Sequence, residues 1–514
     1  MGRILGTETE YGIATPGDAF ASPIITSTHV VVGYALDSVA HATRGTQWDF
    51  AGESPLKDSR GFDLRRYHST PVVAADGIGV ANMVLGNGAR FYVDHAHPEY
   101  SAPETTSAFD AMVYDQAGDR IMWEAAEVCG RRSARGESAL EGHPPCPELK
   151  IYKNNVDGKG ASYGSHENYQ YSRETDFSCL AAGLIPFFVT RQIFCGAGRV
   201  GLGTHSQEAG FQISQRADYI EQEISLETTL NRGIINTRDE PHADKDRFGR
   251  LHVIIGDANM SQFSNLLKLG TSELVISAIE SGVDFSDLSL ARPVDAVRVV
   301  SRDLEVKTPL LLADGRARTA IEIQREYAAR VKADSPEARR IVELWVEVLD
   351  KLERDPLSTA DMLDWTAKLS LLNRYHAQGV AWDDPKMQLV DLQYADLDPT
   401  KGLYYALVRR GLMRTVVAED EIVRAMRQAP SSTRAALRGG LMRCVADRVV
   451  SANWDSVILR DDDGELVRLA LGDGVDLPSE LVALFDTADD CVSVGEVIAA
   501  FTRLRPQWVT VLGS

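Results

Sequence analysis

The stretch Asn87–Tyr100, NGARFYVDHAHPEY, constrains the fold most. Its middle alternates strictly: Arg90, Tyr92 and Asp94 fall on one side of an extended chain, Phe91 and Val93 on the other. Such a strand needs an apolar core under one face and an open, ligand-bearing space over the other. Arg90 can grip a phosphate with its fork of N–H groups, and Asp94 can act as base or nucleophile. Glu99 comes just past a turn marked by Pro98. The N-terminal run Arg3–Tyr11 obeys the same rule and places Gly6, Glu8 and Glu10 on one face. Two neighbouring carboxylates repel unless a cation lies between them, so this strand points to a divalent metal.

Other stretches add chemistry with less force. His95 and His97 could ligate zinc, but the companions are hard oxygen donors without a cysteine, which favours magnesium or manganese. The loop Lys153–Tyr169 is glycine-rich and holds His166 and Asn168 in alternation, yet it lacks the GxxxxGK[ST] pattern of a phosphate loop. Gly196–Gly201 matches G-x-G-x-x-G, but Leu202 and its successors do not open a helix, so a turn is expected and Cys195 beside it reads as a buried thiol. His252 opens an apolar strand that ends in Gly256-Asp257-Ala258-Asn259, and Arg238 lies upstream within reach of a phosphate.

Length and charge set the class. The 514 residues carry 54 Lys+Arg against 74 Asp+Glu, a net charge of −20, which argues against a general nucleic-acid binder. No apolar run reads as a membrane span of roughly 18 residues, and the six scattered cysteines without a CxxC pair fit a reducing, cytoplasmic setting. Residues 1–300 read as short strands and turns, and 316–375 as helices, with Ser335-Pro336-Glu337 opening one of them. A polar stretch at Gln428–Thr433 divides a large α+β domain, 1–430, from a small one, 431–514. Residues 42–80 carry ten charged side chains and little periodicity, which predicts a mobile functional loop. Trp48 and Phe50 are its apolar anchors, expected to pack transiently near the site.

Taken in order, Gly-Thr-Glu-x-Glu-Tyr-Gly, Asn-Gly-Ala-Arg-x-Tyr-x-Asp, His-Pro-Glu-Tyr-x-x-Pro-Glu, Lys-Asn-Asn, Gly-Ser-His-Glu-Asn-Tyr and Gly-Asp-Ala-Asn-Met-Ser resemble the Pup ligase/depupylase family. That family is homologous to glutamine synthetase and the carboxylate–amine ligases, and the similarity runs from residue 3 to about 460. The 42–80 insertion and the short Asp94–Glu99 spacing resemble its depupylase branch. The resemblance implies a curved antiparallel sheet backed by helices, with the active site on its concave face. It implies Mg²⁺ on Glu8, Glu10, Tyr92 and Glu99, with His166 and His252 at the remaining ligand positions. His252 stands where a glutamine-synthetase-like protein has Glu. Arg90, Arg238 and Trp454 would hold ATP, or ADP plus phosphate, and Asp94 would be the nucleophile or base. The activity implied is ATP-dependent hydrolysis of the isopeptide bond in pupylated proteins, and deamidation of Pup's C-terminal glutamine. The alternative is a Pup–protein ligase working through a γ-glutamyl phosphate. Pup resembles an acidic chain that folds on binding, so its groove should be locally basic; Arg199, Arg216 and Arg232 are the candidates.

Overall fold

A computed structural model describes residues 2–18, 20–37, 47–50, 53, 57–60, 77–485 and 492–512. Its centre is a sheet of eight strands, in the spatial order Ile220–Ser225, Arg232–Asn236, Phe248–Val253, Ser165–Ser172, Leu5–Glu10, His97–Ser101, Arg90–Asp94, Asn82–Val84. All neighbours are antiparallel except the first pair, Ile220–Ser225 on Arg232–Asn236, which runs parallel. The sheet is therefore antiparallel as the resemblance implied, with one parallel pair at its edge.

Alternation decides which face is buried. In Leu5–Glu10 the residues Leu5, Thr7 and Thr9 are buried, while Gly6, Glu8 and Glu10 are only partly covered. Phe91 and Val93 enter the core from the neighbouring hairpin, and Phe91 meets the Tyr34 ring edge-on at 5.8 Å. Helices Pro23–Asp37, Ala108–Ala134, Phe177–Cys195 and Gln262–Glu280 cover that face. Phe177–Cys195 is long and apolar enough to cross a membrane by length and composition, a feature the sequence reading did not register. Here it lies in the protein core, with Arg191 paired at 2.6 Å to Glu167 from the sheet.

Polar links hold the first strand on its helix. Thr9 donates to Asp115, Tyr11 donates to Asp119 at 2.8 Å, and the buried Lys153 ammonium bridges Asp115 at 2.6 Å and Asp119 at 3.0 Å. Each carboxylate has a cationic partner, as burial demands. The helix Pro336–Arg354 starts with Ser335 as N-cap and buries Ile341, Trp345, Val348, Leu349 and Leu352 at helical spacing.

The C-terminal part builds a second sheet, in the order Val509–Leu512, Leu466–Ala470, Ser456–Arg460, Val449–Ala452, Gln47–Trp48. Its last strand comes from the 42–80 segment, and Trp48 lies in this sheet's apolar cluster at 6% exposure. Trp48 is thus a fixed core residue, not a transient anchor. Further along, the Ser59 N–H donates to the Thr237 carbonyl, and the Asp239 N–H donates to the Lys57 carbonyl. The remainder of the expected loop, 42–46, 51–52, 54–56 and 61–76, lies outside the described residues. The Gln428–Thr433 stretch is also tied down, through Tyr114 on the Gln428 carbonyl and Thr433 on the Glu104 carbonyl.

Candidate active site

Register aligns the polar faces of five strands. Glu8 stands opposite His166 on one side and Ser101 on the other, Glu10 opposite Glu99, Tyr92 opposite Glu99, and Asn168 opposite His252. The helix-free face therefore carries, in a row, His252, Arg250, Asn168, His166, Glu8, Glu10, Glu99, Tyr92, Arg90 and Asp94. Two groups within it bring ligand atoms within 4.8 Å of one another: Glu8, His166 and His252, and Glu10, Asp94 and Glu99. Asp94, read from sequence as catalytic only, thus sits among the carboxylates assigned to metal. Tyr92 enters by donating its hydroxyl to Glu99.

The electrostatics fit a cation. Burial, joined by the charges of Asp94, Glu10 and Glu8, holds the Glu99 carboxyl well above the usual carboxylate range. Burial also opposes ionisation of Glu8, but Arg250 and His166 outweigh it and hold Glu8 well below that range. At Asp94 the balance resembles that at Glu8: burial raises it, yet the hydrogen bond and charge of His95 bring it below its ordinary value. Gly164 borders this space, since a Cβ there would lie 2.2 Å from His166 Nε2 and 2.9 Å from Glu10 Oε1.

His252 supplies the clearest sign of a ligand position. Asn168 Oδ1 accepts from Arg250 Nε at 2.7 Å, which fixes that atom as the oxygen, and it lies 2.9 Å from His252 Nδ1. Nδ1 also lies 3.2 Å from Arg250 Nη2, which can only donate, and Nε2 is a buried nitrogen without a hydrogen-bond partner among the described residues. Burial and the Arg250 charge keep this imidazole neutral, with its pKa well below the ordinary value. The donors present thus suit a divalent ion. Replacing His252 with Ala should weaken Mn²⁺ binding at least about tenfold, read by titration of the Pup-free protein. Unchanged affinity would remove His252 from the ligand set.

A cavity of about 1100 Å³, counted to its open mouth, adjoins the row and is lined by Arg90, Arg238 and Trp454 together. The Arg90 guanidinium lies 4.1 Å from the Trp48 ring and 3.9 Å from Tyr92, and its Nε donates to Asn82 at 3.0 Å. Trp48 meets Trp454 edge-on at 5.2 Å and donates its indole N–H to Glu53 at 2.7 Å. Arg434 and His242 complete one wall.

Sequence reasoning missed three of these groups and noted Asn168 without giving it a role. Arg250 alternates with His252 on one strand, donating to Glu8 at 2.8 Å, so the period-two pattern held its signal. Asn168 shows the same pattern beside His166. Glu53 and Arg434 reach the cavity only through tertiary packing.

The three groove arginines need correction. Arg199 is buried, donating to the Gly203 carbonyl and Ser206 at 2.9 Å, so it presents nothing to a docked chain. Arg216 is also buried and donates to the Tyr163 carbonyl at 2.6 Å; burial and the Arg232 charge lower its pKa to about 10. Arg232, at 9% exposure, donates to the carbonyls of Thr228 and Ser162. The Glu10 charge acts on both Arg216 and Arg232, against the burial that lowers them. Carbonyls of the folded chain, not solvent, surround these guanidinium groups. Cys195 is buried as expected, its thiol pushed up to about 12 by burial, and Gly196–Gly201 forms no helix start.

Comparison with known proteins identifies the family. The Pup-ligase protein family matches residues 3–458. The Pup deamidase/depupylase of Mycolicibacterium smegmatis is 51% identical over 505 residues, covering 96% of this chain and 99% of its own. The Pup–protein ligase of Mycobacteroides abscessus is 40% identical over 392 residues, 74% of this chain and 85% of its own. The Pup ligase PafA, solved in complex with ADP, superposes with a TM-score of 0.69 at 34% identity, covering 79% of this chain and 89% of that one. The family model spans most of the chain and the alignment to the depupylase is near-complete, so the chain belongs to the Pup-ligase protein family.

Proposed function

We propose that the protein is a nucleotide-dependent hydrolase that releases Pup from pupylated proteins and deamidates a C-terminal glutamine of Pup. The observation that carries this reading over the ligase is extent. The depupylase relative matches at 51% across 96% of the chain, the ligase at 40% across 74%.

Both reactions are one chemistry, attack on a γ-carbonyl bound to nitrogen. Asp94 lies at the end of its strand, partly open to solvent, and delivers the attack either with its own oxygen or through a water it deprotonates. The C–N bond breaks, the amine leaves with a proton, and water supplies the oxygen of the γ-carboxylate. Glu8, His166 and His252, and Glu10, Glu99 and Tyr92, would hold Mg²⁺. A divalent ion there would neutralise the crowded carboxylates and polarise a phosphate or carbonyl oxygen. Arg90 and Arg238 would meet the phosphates of ATP and Trp454 its base. Amide hydrolysis is downhill, so the nucleotide helps build the site and is not spent once per turnover.

Incubation of the protein with Mg²⁺, ATP and Pup ending in Gln should convert the amide to the acid, read by mass spectrometry. With Pup ending in Glu and a lysine-bearing target, no conjugate should form. A conjugate would favour the ligase, and one ATP consumed per Pup released would contradict the structural role of nucleotide. Trp48→Ala should weaken ATP binding roughly tenfold, the ~1–2 kcal/mol of a stacked guanidinium, measured by calorimetry. Wild-type affinity in that variant would separate Trp48 from the nucleotide site.

A further inference from the structure

Asp94 and His97 pair across the hairpin, leaving His95 and Ala96 as its two-residue turn. His95 occupies the first turn position with φ +53°, a left-handed conformation that glycine or asparagine adopts far more easily than histidine. Burial gives nothing back for this, because the side chain is 72% exposed. Ser27 holds the turn from outside by donating to the Ala96 carbonyl at 2.8 Å. What the imidazole does gain is a contact of 3.0 Å from Nδ1 to Asp94 Oδ1. An outlying backbone whose one evident return is a bond to the reacting side chain is the pattern of a functional turn.

Asp94 needs that partner. It shares its pocket with Glu10 and Glu99, whose oxygens lie within 4.8 Å of its own, and the Glu10 charge presses an unheld carboxylate outward toward solvent. From these observations we infer that His95 is a positioning residue: its N–H pins Asp94 Oδ1 and so presents Oδ2 to the γ-carbonyl. This rests on the reading of Asp94 above. His95 itself touches no reacting atom.

The test compares wild type, His95→Gly and His95→Asn in deamidation of Pup ending in Gln. Glycine relieves the turn and deletes the donor. It should leave the melting temperature unchanged or higher, and lower kcat roughly tenfold to a hundredfold, the scale of a misplaced reacting group, with KM for Pup within about twofold. Asparagine tolerates the left-handed turn and offers an amide N–H, so kcat should return to within about threefold of wild type. A wild-type kcat in His95→Gly would overturn the proposal. So would a loss confined to KM, or an asparagine variant as slow as the glycine one. Absence of turnover in wild type would overturn the functional reading and the proposal with it, a result unlike any of these.

Discussion

Replacing Asp94 with Asn will abolish turnover, by at least about a thousandfold in kcat, while Pup still binds. The substitution keeps the size and the hydrogen-bonding reach of the side chain but removes its basicity and nucleophilicity. It also relieves rather than creates charge crowding, since Asp94 is one of the charges that hold the Glu99 carboxyl high. The fold should therefore survive, and Val93 and Phe91 keep the strand on its core. Steady-state deamidation and fluorescence titration with labelled Pup separate the two effects. Binding with wild-type affinity and no product would also exclude a mere adaptor role, in which turnover has no part. A variant within tenfold of wild-type kcat would move the attacking group elsewhere, and Glu10 would be next to test.

Much of this site was legible because strands encode it in a short code. A period of two needs only a handful of residues to reveal a face, and Glu8 with Glu10, then Arg90 with Tyr92 and Asp94, gave two such faces. Family resemblance added His166, His252 and Trp454, which no local pattern distinguishes from ordinary core or surface residues. The arginines at 199, 216 and 232 show the opposite case. Charge in a sequence suggests exposure, but a guanidinium can be satisfied by carbonyls from distant segments, as Ser162 and Tyr163 do for two of these. Trp48 is similar: its immediate neighbours Gln47 and Asp49 are polar, and its core comes from distant segments, among them the strand Val449–Ala452, some four hundred residues away in the chain. Long-range pairing of that kind leaves no local signature.

Replacing Glu104 with Gln will loosen the C-terminal sheet from the catalytic one and weaken ATP binding with it. Glu104 lies just after the strand His97–Ser101 and receives Arg434 Nε at 2.8 Å and Arg438 Nη1 at 3.1 Å, both from the start of the C-terminal region. Arg438 also lies 4.9 Å from the Trp454 ring and donates to the Trp454 carbonyl at 2.9 Å, so it sets the indole that lines the cavity. Burial would raise the Glu104 carboxyl, but the two arginines outweigh it and bring it from 4.5 to about 2. For an acid lowered on folding, the stabilisation is present above the unfolded value and lost as pH falls toward the folded one. This interval corresponds to about 3 kcal/mol, lost between about pH 4.5 and 2. The variant should be destabilised by about 3–5 kcal/mol at neutral pH, because two buried guanidinium groups lose their counter-charge. Hydrogen exchange should show the loss first in Ala435–Cys444 and the strands beyond it. The acid profile of the variant should be flatter than that of wild type below pH 4.5, since the titrating carboxyl is gone. Equal melting temperatures and equal acid profiles would mean that apolar packing alone, through Leu437 and Leu441 against Val84 and Trp48, joins the two sheets.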